Sequence, residues 1–124
     1  MHVRHGAYEH AERDFRAMLA IFERLRSGQD VGSAQAALGD VADMRGDRPA
    51  ALARYEAAMA EYERLGLRVR LGEVVLRRAA VLRELGRARE ADGEQERGRE
   101  LIGDAPLHRG PGLEWRLSGP QREA

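Results

Sequence analysis

The stretch Leu38–Gly66, LGDVADMRGDRPAALARYEAAMAEYERLG, decides the fold. It reads as the end of one helix, a corner at Gly46-Asp47, and a second helix that stops at Gly66. In that second helix Ala51, Leu52, Tyr55, Ala58, Met59, Tyr62 and Leu65 recur at steps of 1, 3, 3, 1, 3 and 3, one continuous apolar stripe. Shifted back by forty positions, the skeleton reappears at Gly6, Ala11, Phe15, Met18, Phe22 and Leu25. Shifted forward, Gly86, Ala91 and Ile102 fall in register. A period of about 20–50 residues marks a stack of like units. Gly6, Gly46 and Gly86 are accordingly expected at matching bends along a common axis.

Working outward, the spacing predicts five helices, over about 7–26, 33–45, 48–65, 68–85 and 88–102. The first carries Ala11, Phe15, Met18, Leu19, Phe22 and Leu25 on one stripe, and Ser27-Gly28-Gln29-Asp30 ends it. Ser33 is the expected N-cap of the second helix, with Ala34, Leu38, Val41 and Ala42 facing inward. Asp47 is the expected cap of the third, with Pro49 tolerated in its first turn. On the fourth, Leu71, Val74, Val75, Ala79, Leu82 and Leu85 form the stripe, while Val69, Leu76 and Val81 lie off it. That helix is therefore expected to be covered on two sides. The fifth is poor in apolar residues and holds Gly93 and Gly98, each costing roughly 1 kcal/mol against Ala, so it reads as a solvated, fraying end. Residues 104–124 hold three of the four prolines and no period, and read as a flexible C-terminal tail after a 1–103 repeat domain.

Composition narrows the function classes. The 124 residues suffice for one domain, and 43% hydrophobic with 34% charged residues suits a helical protein in water. The 21 basic residues, all Arg, balance 21 acidic ones, so no net field draws in nucleic acid or an anionic membrane. Nor are aromatics interleaved among the arginines as nucleic-acid stacking requires. Lys, Asn, Thr and Cys are absent, a bias of the kind GC-rich bacterial codon usage produces. Without Cys there is no disulfide, thiolate metal site or Cys nucleophile. The start has no apolar leader and no run approaches 18 apolar residues, which makes the cytoplasm the expected location. His2, His5 and His10 match no dedicated metal spacing, so neither metal nor cofactor is expected. No G-x-S-x-G, P-loop or paired catalytic carboxylates appear, and the chain reads as no enzyme.

The middle unit resembles a tetratricopeptide repeat. Leu38-Gly39 matches that family's Leu-Gly, Gly46-Asp47 its corner, Ala51 and Ala58 its two small residues, and Tyr55 its aromatic. Helices about 8–10 Å apart need Ala or Gly where they cross, with a large ring beside it. Gln35 stands where the family has Trp, and the interval of forty resembles the long bacterial variety, often with a Leu-Gly between units as at Leu65-Gly66. The resemblance implies an all-α, right-handed solenoid of antiparallel helix pairs, here two and a half repeats. It also implies a non-enzymatic protein-protein interaction module, a scaffold or adaptor of the kind found in bacterial transcriptional regulators. The chain itself shows no DNA-binding helix-turn-helix.

In such stacks the first helix of each unit lines a concave groove that takes a peptide or helix. By register the groove residues are Ala37, Asp40, Asp43 and Met44 from the second helix, and Arg77, Ala80, Arg83 and Glu84 from the fourth. The plainer expectation for Asp43 and Arg83, at equivalent positions, is that they pair with each other for roughly 0–1 kcal/mol. Residues 68–83 hold Arg68, Arg70, Arg77, Arg78 and Arg83 against Glu73, a surplus suited to an acidic peptide. The Asn and Lys of the family's carboxylate clamp are absent. The first repeat lacks its leading helix, which would precede Met1, so one flank of the first helix with Tyr8, Phe15 and Phe22 is expected to be bare. A second copy of the chain, a partner helix, or the tail folding back through Leu113, Trp115 and Leu117 would cover it.

Overall fold

The structure, a computed structural model, describes residues 2–103, with side chains from Gly6 onward. These residues form α1 (His2–Arg24), α2 (Gly28–Met44), α3 (Arg48–Leu65), α4 (Arg68–Glu84) and α5 (Ala88–Ile102). They are 88% helical, and no strand occurs among them. The expected tail, with Leu113, Trp115 and Leu117, lies outside the described residues. No helix among the described residues is long and apolar enough to cross a membrane.

All four corners share one construction. Arg26, Gly46, Gly66 and Gly86, twenty residues apart, take φ of 56°, 86°, 73° and 79°. After each, a backbone N–H donates to a carbonyl five residues back: Ser27 to Phe22, Asp47 to Ala42, Leu67 to Tyr62 and Arg87 to Leu82, at 2.8–3.0 Å. The acceptors left over at the end of one helix are thereby satisfied before the next begins. The next helix opens at once, as Ser27, Asp47, Leu67 and Arg87 each accept from the N–H four residues on. Left-handed backbone favours glycine, yet Arg26 occupies the first corner. Gly6 contradicts the expected third matching bend, because it lies inside α1 with nothing within 4 Å of an added Cβ. A lone glycine costs a helix roughly 1 kcal/mol and does not end it.

Asp47 caps α3 as expected, accepting from the Ala50 N–H at 3.2 Å. Ser33 does not cap α2, which begins five residues earlier at Gly28, after Ser27. Ser27 Oγ instead donates to Asp30 Oδ2 at 2.6 Å, which folds the stretch read as a terminator into a helix start. Gly28 and Gly32 survive within that helix because α3 lies against them. A Cβ on Gly32 would stand 2.6 Å from the Tyr62 ring, and one on Gly28 2.7 Å from Arg64 Nη2.

Consecutive helices pack antiparallel: α1 on α2, α2 on α3, α3 on α4 and α4 on α5. Between α2 and α3, Tyr55 lies over Gly39 and Tyr62 over Gly32, so Leu38-Gly39 provides the room that an aromatic at Tyr55 fills. Between α4 and α5 the main chains themselves approach. A Cβ on Gly72 would be 2.9 Å from the Gly98 carbonyl oxygen, and one on Gly98 2.6 Å from Leu76 Cδ2. Gly98 is thus a packing requirement, and α5 is more than the fraying end its composition suggested. Ala51, Ala58, Val75, Leu82 and Ala91 are wholly buried. α4 is covered by α3 on one side and α5 on the other, as the apolar residues off its stripe predicted.

Arginines tie the helices together at their rims. Arg78 on α4 bridges Glu56 on α3 at 3.0 Å and Glu94 on α5 at 2.9 Å. Burial works against its charge, and the hydrogen bonds it donates to the two carboxylates more than offset that. Arg48 on α3 reaches Glu84 on α4 at 3.0 Å, and Glu12 on α1 takes Arg45 at the end of α2. Arginines of the kind codon bias supplies therefore also join helix to helix.

Candidate functional site

The face shared by α2 and α4 is the best-formed candidate. α2 and α4 each pack antiparallel on α3, so they run in the same direction, and side chains from the two meet. Asp40 on α2 meets Arg77 on α4, Oδ2 to Nη1, at 3.2 Å. Tyr55 rises from α3 beneath them and donates its hydroxyl to Asp40 Oδ1 at 2.5 Å. Burial first, and then the Asp40 carboxylate, push the Tyr55 phenol well above its ordinary range, so it stays a neutral donor. Two turns along, Ser33 Oγ and the Tyr62 hydroxyl are 3.0 Å apart. A hollow of about 150 Å³ opens here, lined by Ser33, Ala36, Ala37, Asp40, Tyr62, Arg70, Glu73, Val74 and Arg77. Its floor is apolar and phenolic, and its rim carries both signs of charge.

The eight register-based groove residues divide into four places. Ala37, Asp40 and Arg77 share the hollow. Asp43 and Glu84 gather near Arg48, which pairs with Glu84. Burial and then the Glu84 charge raise the Asp43 carboxyl above its usual value, with Asp40 adding and Arg48 opposing. Asp43 Oδ1 is buried with no hydrogen-bond partner. Met44 stands exposed at the end of α2. Ala80 and Arg83 turn toward α5, where they line a separate hollow with Leu76, Ala79, Gln95 and Arg99. The expected Asp43–Arg83 pair does not form. Arg83 pairs with Asp92 at 3.0 Å and donates to Gln95 at 2.7 Å, both within its own hairpin. Helices cross at an angle, so equal register does not bring long side chains to the same edge. Register places neither Arg70 nor Ser33 among the groove residues, although Arg70, part of the basic surplus, lies seven residues before Arg77 and hence on its face.

The expected bare flank of α1 shifts by part of a turn. Tyr8, Phe15 and Phe22 are half-buried. Phe15 and Phe22 pack against Leu19, Val31, Ala34 and Leu38, filling space that small residues of α2 leave. The apolar residues facing outward are Met18, Ile21 and Leu25, exposed by 41%, 46% and 68%. Trp115, the other residue expected at this surface, lies outside the described residues. His10 pairs with Asp14 at 3.6 Å, and among the described residues no three His, Asp or Glu side chains converge on a metal position. No protein-family model matches the chain, and no curated protein or solved structure shows significant similarity to it.

Proposed function

We propose that this chain is a non-enzymatic protein-protein interaction module. In this reading it is a right-handed tetratricopeptide-like stack that receives a peptide or helix on the face shared by α2 and α4. The observation that carries the reading is the likeness of two hairpins forty residues apart. Gly46 and Gly86 turn through the same hydrogen bonds, and Ala51 and Ala91 are both wholly buried at the crossing that follows. Two such hairpins lying side by side leave a continuous surface over α2 and α4. A hollow with a neutral phenolic floor and a rim of Asp40, Arg70 and Arg77 suits a chain segment of mixed charge. A role beside a bacterial regulatory protein follows from the repeat resemblance alone.

Peptide display against the purified protein, followed by titration of the selected peptides, tests the reading. Arg70→Glu with Arg77→Glu is expected to abolish binding, while Arg83→Glu, whose arginine is engaged by α5, leaves it unchanged. Failure to select any peptide, or equal loss in both variants, overturns it.

A second reading has its own support in Met18 and Ile21 on the outer face of α1 and Leu25 just past its end, all exposed. There a second copy of the chain would bury them in a homodimer. Replacing all three with Ser should leave a monomer by light scattering without changing the helix content. Phe15 and Phe22 are unsuitable for that test, since they belong to the core shared with α2. A wild-type monomer at micromolar concentration removes this reading.

A further inference from the structure

Two junctions, one with α2 between α1 and α3 and the second with α4 between α3 and α5, invite a residue-by-residue comparison. At the second, Glu56, Arg78 and Glu94 form a bridge from α3 through α4 to α5. Forty residues earlier the same places are held by Arg16, Leu38 and Arg54, on α1, α2 and α3. The outer pair has changed sign, and the linking side chain has become short and apolar. A hollow of about 310 Å³ opens there, floored by Leu38, Ala42 and Ala50 and rimmed by Arg16, Arg45 and Arg54. Two carboxylates also line it. Glu12 holds Arg45 and, at 2.7 Å, Arg16; Asp47 accepts from the Ala50 N–H at the start of α3. Three guanidinium groups against two carboxylates leave one positive charge over. Arg54 holds it most openly, since its hydrogen-bond partner is the neutral carboxamide of Gln35 at 3.0 Å.

We propose that this hollow binds a carboxylate supplied from outside the chain, with Arg16 and Arg54 taking its oxygens from opposite sides. The ligand's carboxylate does for two arginines what the Arg78 guanidinium does for two glutamates. Guanidinium forks match the planar carboxylate geometry. The apolar floor takes a short methylene chain such as that of a glutamate side chain or a small dicarboxylic acid. The site lies apart from the α2–α4 face and does not depend on how that face is used.

The test is a chemical-shift titration of the whole labelled protein with glutarate, with a short capped peptide containing one Glu, and with sodium chloride at matched ionic strength. Saturable shifts at Ala42, Ala50 and the Arg54 side chain are expected for at least one carboxylate. Tighter binding of the peptide assigns the source to a partner polypeptide, and tighter binding of glutarate assigns it to a free metabolite. Arg54→Gln should weaken the binding about tenfold. The triple change Arg16→Glu, Leu38→Arg and Arg54→Glu, which copies the bridge of the second junction, should abolish it. Should the triple variant fail to fold, Arg54→Gln decides alone. Shifts no larger than those from chloride, or undiminished shifts in Arg54→Gln, overturn the proposal.

Discussion

The hairpins α2–α3 and α4–α5 share their corner, their spacing and their antiparallel packing, yet they use close approach differently. In the first, glycine leaves room for a ring: Tyr55 lies on Gly39 and Tyr62 on Gly32. In the second, Gln95 and Ile102 stand at the places of those tyrosines, and Gly98 meets Gly72 main chain to main chain. The same economy of side chains thus yields two products. A ring over glycine carries a hydroxyl through the core to Asp40 or Ser33 on the α2–α4 face. Glycine against glycine carries nothing across and only brings the helices close. That difference is why the polar floor of the candidate site belongs to the first hairpin.

The largest expected break in the comparison comes from Tyr55→Ala. Removing a buried ring should cost about 3–5 kcal/mol in urea unfolding. The matching change Gln95→Ala should cost under about 1 kcal/mol. Equal losses at the two positions would mean that the hairpins are not held differently. Next come Gly39→Ala and Gly72→Ala, each expected to lose about 1–3 kcal/mol by overpacking. Gly72→Ala should be the worse, because its Cβ meets a backbone oxygen at 2.9 Å and main chain yields less readily than a ring.

The corners sharpen the likeness rather than the difference. Arg26→Gly should stabilise the protein by about 0.5–1 kcal/mol, read as a rise in melting temperature. Relief of left-handed strain, about 1–2 kcal/mol, outweighs the entropy of an added glycine, about 0.5–1 kcal/mol. No gain would show that the first corner is not built like the other three.

The smallest effect concerns Asp43, whose raised pKa has a definite sign. The folded state binds its proton more tightly than the unfolded chain, so the ionised carboxylate opposes folding at neutral pH. That penalty fades as pH falls through the folded pKa and is gone below the unfolded value near 3.8. Asp43→Asn should therefore gain at most about 0.5 kcal/mol at pH 7, since the side chain is only half-buried. The gain should shrink as the solution is acidified, and a gain independent of pH would assign it to another cause.

Helix existence and the third and fourth stripes were legible because a 3.6-residue period repeats clearly in Ala51–Leu65 and Leu71–Leu85. The Gly46-Asp47 corner was legible too, since a left-handed glycine followed by a capping Asp is a local device. Ser27-Gly28 misled because glycines at 28 and 32, in the first two turns, look like a break until Arg64 and Tyr62 are seen lying on them. Gly6 misled for the converse reason, as its spacing matched the corners while its surroundings asked for no turn. In the candidate site, Asp40 and Arg77 were found from register, and Arg83 was misplaced. A long side chain chooses among several partners, and Asp92 and Gln95 on α5 were nearer at hand than Asp43.

Local chemistry written in the chain was enough to determine five helices, most of their ends, and a forty-residue rhythm. Those features depend on neighbours within a few residues, through backbone hydrogen bonds and caps. Tertiary structure alone decided which way each arginine reaches, which apolar face of α1 stays open, and where Arg16, Leu38 and Arg54 leave a hollow instead of a bridge. Such outcomes depend on helix crossing and on competition among distant partners, and neither is encoded in the spacing of any single segment.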